Sequence, residues 1–284
     1  MIISVASGKG GTGKTTVAVN LALSIDTGVQ FLDCDGEEPN AHIFLKPHIE
    51  QTEKVYIPVP EIDEDKCVYC GRCREVCAYN AIAVVKGSEN GKGSVLVFPN
   101  LCHGCGSCAY FCPAKAIKEV NKEIGTMETG KAGKINFVHG RLNIGEAMVP
   151  PLIRRIKKHI NTGFTVIIDA PPGTSCPVVE TVKKSDFCVL VTEPTPFGLN
   201  DLRLAVEVLR KLKVPFGIVI NRADLGDKKT DDYCRKENLS VLMRLPFKKQ
   251  IAAAYSKGEP IVTALPEYKK DFQELFTKIR NLAK

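Results

Sequence analysis

The 284 residues, 44% hydrophobic and 25% charged with no tryptophan, supply core enough for one α/β domain and a small added module. No apolar run approaches the ~18 residues of a membrane span, and the first residues already read as strand and loop, so no leader is expected and a cytoplasmic protein is. Twelve cysteines in such a chain exclude a disulfide scaffold in favour of metal chemistry, and the charge of +7 is not gathered into a basic run interleaved with aromatics, so no nucleic-acid partner is expected.

Ile2 to Ala6 predicts a short buried strand. Ser7-Gly8-Lys9-Gly10-Gly11-Thr12-Gly13-Lys14-Thr15-Thr16 follows, and from Gly8 it satisfies G-x-x-x-x-G-K-[ST], the phosphate-binding P-loop. Glycines let successive N–H groups point into one concavity suited to phosphate oxygens. Lys14 adds charge toward the β- and γ-phosphates, and Thr15 presents a hydroxyl to Mg²⁺. Val17, Leu21 and Ile25 then recur at helical spacing, completing the strand–loop–helix setting that an ATP or ADP site requires. The whole stretch Gly8 to Thr16 is expected to bind nucleotide.

Lys9, directly after the first glycine, is not needed by a standard P-loop. This Gly8-Lys9-Gly10-Gly11 pattern resembles the deviant Walker A of MinD/ParA-type ATPases, a superfamily that includes the nitrogenase iron protein. The resemblance implies an ATP-sandwiched dimer, with another copy or with a paralogue, in which Lys9 acts across the interface on charge developing in phosphoryl transfer. The alternative is a solvated surface lysine. Phe31 to Asp35 reads as a second strand ending in Asp33 and Asp35. The resemblance makes Asp35 a switch residue that orients water or holds the magnesium shell, accompanied by Asn40.

From Val55 the sequence turns to a proline-punctuated exit, Tyr56 to Glu61, and then to a cysteine array. Cys67-x2-Cys70-x2-Cys73-x3-Cys77 is repeated as Cys102-x2-Cys105-x2-Cys108-x3-Cys112, at an offset of 35, and Ala81, Ile82 and Val85 meet Ala116, Ile117 and Val120. This is an internal duplication with the spacing of a bacterial-type two-cluster ferredoxin. Cys67, Cys70, Cys73 and Cys112 would hold one [4Fe–4S] cluster, and Cys102, Cys105, Cys108 and Cys77 the second. Zinc competes, but zinc sites use two plus two ligands and leave the third cysteine of each run idle. Two clusters with their ligands carry about −2 each, which takes +7 to about +3. Gly87, Gly91 and Gly93 mark a loop or hairpin between the halves.

The module is expected to close near Val120, with a mixed Gly/Lys stretch leading to a strand over Lys134 to Val138. A helix with Leu152, Ile153, Ile156 and Ile160 on one face follows, without assignable chemistry. Phe164 to Asp169 predicts a buried strand ending in an acid. Downstream of a P-loop this is the Walker B pattern: Asp169 binds Mg²⁺ through water, and the Gly173 N–H meets the γ-phosphate. Cys176 stands where the nitrogenase iron protein has a cluster ligand, but no second cysteine accompanies it. Cys176, Cys188 and Cys234 are read as small buried thiols. Strands over Phe187 to Val191 and Phe216 to Ile220 flank a helix from Asn200. The resemblance places Asn221 against adenine, with Arg222, Pro246 and Phe247 lining the base. In the last helix Phe272, Leu275, Phe276, Ile279 and Leu282 recur on one face, read as core packing and not as a membrane anchor.

The expected fold is a doubly wound, mostly parallel P-loop sheet over residues 1–59 and 121–284, with a small α+β ferredoxin module inserted over 60–120. The expected function is ATP hydrolysis coupled to low-potential electron transfer to a partner protein. Iron–sulfur cluster assembly and positional organisation, as by MinD and ParA, are the alternatives.

Overall fold

The computed structural model describes residues 1–87 and 92–283; Gly91 of the expected loop lies outside them. The strands are β1 (Ile2–Ala6), β2 (Val29–Asp33), β3 (His48–Ile62), β4 (Ile82–Val85), β5 (Ser94–Val97), β6 (Ile117–Ala132), β7 (Ile135–Leu142), β8 (Thr165–Asp169), β9 (Phe187–Thr192), β10 (Phe216–Asn221) and β11 (Val241–Leu245). Nine form one sheet in the order β11-β10-β9-β1-β8-β2-β7-β6-β3, and β4 pairs with β5. All pairs from β11 to β7 are parallel. The β6–β7 connection is a two-residue turn with Gly133 at φ +59°, which makes that pair an antiparallel hairpin. The fold is therefore the mostly parallel, doubly wound sheet read from the sequence.

The chain divides into two compact units. The first comprises Met1–Glu53, Met127–Arg141 and Leu152–Lys284; the second comprises Lys54–Thr126 and Leu142–Pro151. In the first unit, β1, β2, β8 and β9 are apolar runs because helices cover both sheet faces. Helix α1 (Lys14–Ser24) and the last helix (Lys269–Leu282) belong to a core with Ile3, Phe31, Phe137 and Val189. The other core gathers Val178, Leu190, Leu202, Val206 and Ile218. In the last helix Phe272, Leu275 and Ile279 are fully buried, as the core-packing reading requires, while Leu282 is exposed. No helix among the described residues is long and apolar enough to cross a membrane.

Several local expectations change. Residues 121–132, read as a Gly/Lys connector, continue β6: Ile124 and Met127 are fully buried, but Gly125 and Thr126 between them and the flanking Glu123 and Glu128 hide the alternation. The Tyr56–Glu61 exit lies within β3, and its prolines are tolerated because β3 is the last strand of the sheet order. The helix expected from Asn200 begins at Pro196. Thr195 caps it, accepting from the Gly198 N–H at 3.0 Å, and Pro196 occupies the first turn, where its missing N–H costs nothing. Ile160 lies beyond the helix Val149–Lys157 that buries Leu152, Ile153 and Ile156. Cys188 and Cys234 are buried, but Cys176, at the start of the helix Cys176–Val182, is exposed.

The second unit carries the duplication into three dimensions. The short helices Arg72–Glu75 and Ser107–Tyr110 are related by the offset of 35. Asn80 at φ +53° and Lys115 at φ +49° are related in the same way, at a conformation uncommon for such residues. The loop between the halves is the antiparallel β4–β5 hairpin, with Ile82 opposite Val97 and Val85 opposite Ser94.

Candidate functional site

The register of the parallel strands builds the first site. Val5 lies beside Asp169, and Asp169 beside Asp33, so two acids stand at the strand ends next to the loop that leaves β1. In such sheets ligands bind at the carboxyl ends of the strands. The loop then needs glycine at two places for steric reasons. A Cβ on Gly8 would meet the Asp201 carbonyl oxygen at 2.2 Å. Gly13 stands at φ +91°, where its Cβ would lie 2.5 Å from Asn221 Nδ2. Gly13 is the N-cap of α1, so Lys14 and Thr15 open the helix with their N–H groups toward the cavity.

Lys14 is 7% exposed. Thr15 Oγ1 donates to Asp169 Oδ2 at 2.6 Å, which joins the hydroxyl and carboxylate expected to hold magnesium. Asp169 Oδ1 is buried with no hydrogen-bond partner among the described residues. Burial pushes Asp169 up to about 7, against the pull of Lys14 and the Thr15 hydroxyl, and Asp35 adds repulsion. Asp35 is also raised by burial and lowered by Lys14. Asp33 is raised well above the carboxylate range by burial and by Asp169; its oxygens accept from Asp35 N at 3.1 Å and Ala41 N at 3.0 Å. Among the described residues, three carboxylates, one of them with an orphaned oxygen, and a hydroxyl near Lys14 are short of positive charge. A hard divalent cation such as Mg²⁺, which takes oxygen ligands, fits that deficit.

The cavity beside these groups is lined by Gly10, Gly11, Gly13, Lys14, Thr15, Thr16 and Asp35, and also by Asn221, Arg222, Pro246 and Phe247; Asp33 and Asp169 are not on its wall. The four residues expected at the base are thus brought to the P-loop. Asn221 Nδ2 donates to the Thr12 carbonyl at 2.9 Å, and its Oδ1 accepts from Arg222 N at 3.0 Å. Phe247 N donates to Asp224 Oδ1 at 2.6 Å. Gly8, Lys9 and Thr12 are not on the cavity wall. Lys9 pairs with Glu193 of its own chain, which also holds Arg222 at 3.0 Å. The Gly173 N–H, expected at the γ-phosphate, donates instead to the Ser7 carbonyl at 3.0 Å. Sequence reasoning missed Glu193, Lys248 and Tyr255 here. Glu193, an acid at the end of a buried strand, carried a usable signal; Lys248 and Tyr255 carried none.

The cysteines fall into two quartets. Cys67, Cys70, Cys73 and Cys112 line one cavity, with Ile62, Val84, Val95 and Ile117; Cys77, Cys102, Cys105 and Cys108 line a second, with Pro58, Pro60, Ser107 and Glu119. These are the two ligand sets expected from the spacing. All twelve cysteines are free. Among the described residues no three His, Cys, Asp or Glu side chains converge as a single ion requires. A zinc ion needs its sulfurs about 2.3 Å from one point, whereas a cubane needs the open space that each quartet surrounds. Burial pushes the Cys108 thiol up to about 11 and also raises Cys73 and Cys102, while the Ser107 hydroxyl draws Cys105 down.

A strand–glycine loop–helix with strand-end acids on a parallel sheet defines a P-loop nucleotide-binding protein. The CobQ/CobB/MinD/ParA nucleotide binding domain matches residues 3–261, and the chain belongs to that family. An uncharacterised protein of Methanocaldococcus jannaschii is 32% identical over 91% of this chain and 90% of its own length. The iron-sulfur cluster carrier protein of Pyrococcus horikoshii is 25% identical over 99% of this chain and 86% of its own. Ferredoxin-3 of a Nostoc species is 37% identical over 65 residues, which cover 18% of this chain and 67% of that protein. Among solved structures, the Pyrococcus horikoshii septum site-determining protein MinD with Mg-ADP superposes with a TM-score of 0.61 at 18% identity, covering 99% of this chain and 96% of that one. At that identity the likeness is one of fold.

Proposed function

We propose that this protein is an ATP-hydrolysing iron–sulfur protein in which the nucleotide state of the first unit governs low-potential electron transfer through two [4Fe–4S] clusters in the second. The inserted ferredoxin module is then residues 60–120, all of which belong to the second unit. The observation that carries the reading is the sorting of eight cysteines into two four-sulfur cavities that match the ferredoxin interleave, Cys112 joining the first run and Cys77 the second. The clusters would supply one-electron redox chemistry at those cavities.

The chain's own residues would do the rest. Lys14 and the N–H groups of Gly10 to Thr16 bind the phosphates; Thr15 and Asp169 orient Mg²⁺; Asp35 positions the attacking water. Asn221, Arg222, Pro246 and Phe247 hold the base. Lys9 leaves Glu193 to reach a second subunit's nucleotide, and Gly173 leaves Ser7 to reach the γ-phosphate. A redox module joined covalently to an ATPase is useful when nucleotide state biases docking or potential.

The test is anaerobic potentiometry of both clusters with ADP and with a non-hydrolysable ATP analogue. A nucleotide-dependent shift supports direct coupling; unchanged potentials reject it and leave ATP to control partner docking. The likeness to an iron-sulfur cluster carrier protein favours a second reading, ATP-dependent delivery of clusters. It predicts loss of iron to an apo-acceptor, where the first reading predicts that all iron stays on the chain through repeated redox cycles.

A further inference from the structure

The offset of 35 pairs most wall residues of one cysteine cavity with a residue of the other, all four cysteines included, so the comparison isolates what differs. The Ala81 N–H donates to Cys77 Sγ at 3.3 Å, and the Ala116 N–H to Cys112 Sγ at 3.3 Å. These bonds are equivalent, one to each quartet, and cancel. Two others have no counterpart. The Gly104 N–H donates to Cys102 Sγ at 3.4 Å, and the free Cys105 thiol donates to Ser107 Oγ at 3.5 Å, a contact in which the hydroxyl becomes the donor once the sulfur is a thiolate ligand. At the equivalent positions stand Tyr69 and Arg72. Among the described residues the Cys67 and Cys70 sulfurs accept no hydrogen bond, and Arg72 turns away to Glu75 at 3.2 Å. The walls differ at two further matched positions: Val84 and Val95 line one quartet where Glu119 and Pro60 line the other, while Ile117 is matched by Ile82.

A donor aimed at a ligand sulfur stabilises the reduced, more negative form over the oxidised one and raises the potential; an aliphatic wall lowers it by withholding solvation. Glu119 works in the opposite direction, but it is exposed, so water and salt screen it, whereas the Ser107 hydroxyl acts on the sulfur itself.

We propose that the two cluster sites are unequal, that the quartet Cys77, Cys102, Cys105 and Cys108 is the higher-potential site, and that Ser107 is the residue that tunes it. The inference rests on the two-cluster reading given above. Ser107 acts through Cys105 as a positioning residue. With both clusters bound, one electron from an external low-potential donor would rest at this quartet; were it to arrive by way of the other site, that site would be oxidised as this one is reduced, with no bond made or broken.

The experiment is an anaerobic redox titration of the full chain, reconstituted with iron and sulfide and followed by electron paramagnetic resonance and visible absorbance. The wild type is expected to show two separate waves. Ser107→Ala lowers the higher wave alone, disfavouring reduction there by about threefold to tenfold (tenfold being ~59 mV for one electron). Ser107→Thr, which keeps the hydroxyl, restores it. Arg72→Ser, placing a hydroxyl at the mirror position, raises the lower wave. Full iron content with coincident waves overturns the inequality and leaves the two-cluster reading intact. A Ser107→Ala chain with full iron whose waves stay in place, or whose lower wave moves, overturns the role of Ser107. Iron sufficient for one cluster only overturns both readings.

Discussion

The nucleotide cavity and the cysteine cavities are assembled over very different distances along the chain. Asn221 and the Thr12 carbonyl it binds are 209 positions apart, and Thr15 and Asp169 are 154 apart. Each cysteine quartet takes three sulfurs from a single short run, Cys67–Cys73 or Cys102–Cys108, and only the fourth from the other run. The first site depends on sheet register: a slip of β8 against β1 would carry Asp169 away from Thr15. The second depends on short turns, with left-handed residues repeated at the same offset in each half. A site built from register fails as a unit when its sheet fails, whereas a site built from local turns can lose one ligand with little effect beyond its cavity.

The sharpest test of that contrast is Lys14→Ala. It removes the one lysine among three acids, and nucleotide hydrolysis should fall by about 10²- to 10³-fold, measured as phosphate release, with iron content unchanged. Iron lost along with hydrolysis would break the comparison. Next in size, Cys108→Ser should cut bound iron by about half, since each cubane needs four ligands. Nucleotide affinity measured by calorimetry should then stay within about twofold.

A smaller effect follows from Asp169. It titrates near 7 in the folded chain against an ordinary value of 3.8, so the folded state is the one that holds the proton between those values. A raised carboxylate opposes folding once it must ionise, so stability falls as pH rises from about 4 to about 7 and changes no further above that. Thermal melts of the nucleotide-free chain should show this slope, and Mg²⁺ with ADP should flatten it by neutralising the carboxylates; an equal slope with and without Mg-ADP would count against the cation site. Smallest is Thr195→Ala, which removes a helix cap of the first unit. It should cost about 1 kcal/mol in urea unfolding of the first unit and leave the iron unaffected.

Legibility in the sequence followed the same division. Strand, P-loop, acid-ended strands and the cysteine duplication were readable because each is a local pattern with a local physical cause: glycine for a tight loop, an apolar run for a covered strand, thiols at cluster spacing. Asn221, Arg222, Pro246 and Phe247 were reached through family resemblance, and the structure places all four on the nucleotide cavity. Residues whose partners are distant were misread or missed. Nothing near Lys9 reveals its pairing with Glu193, and nothing near Gly173 reveals that its N–H is taken by Ser7. Cys176 was read as a buried thiol because no second cysteine accompanies it as a cluster ligand, but it opens a helix at an exposed position.

Sequence alone therefore settled which chemistries this chain can attempt, because phosphate cradles and cluster ligands depend on residue type at fixed short spacing. Tertiary structure decided which groups are free to act. Lys9 and Gly173 are held by bonds within the chain, Asp169 keeps one oxygen unsatisfied, and Ser107 makes one of two duplicated sites unlike the other. Those outcomes are set by pairing and burial among residues that only the folded chain brings together.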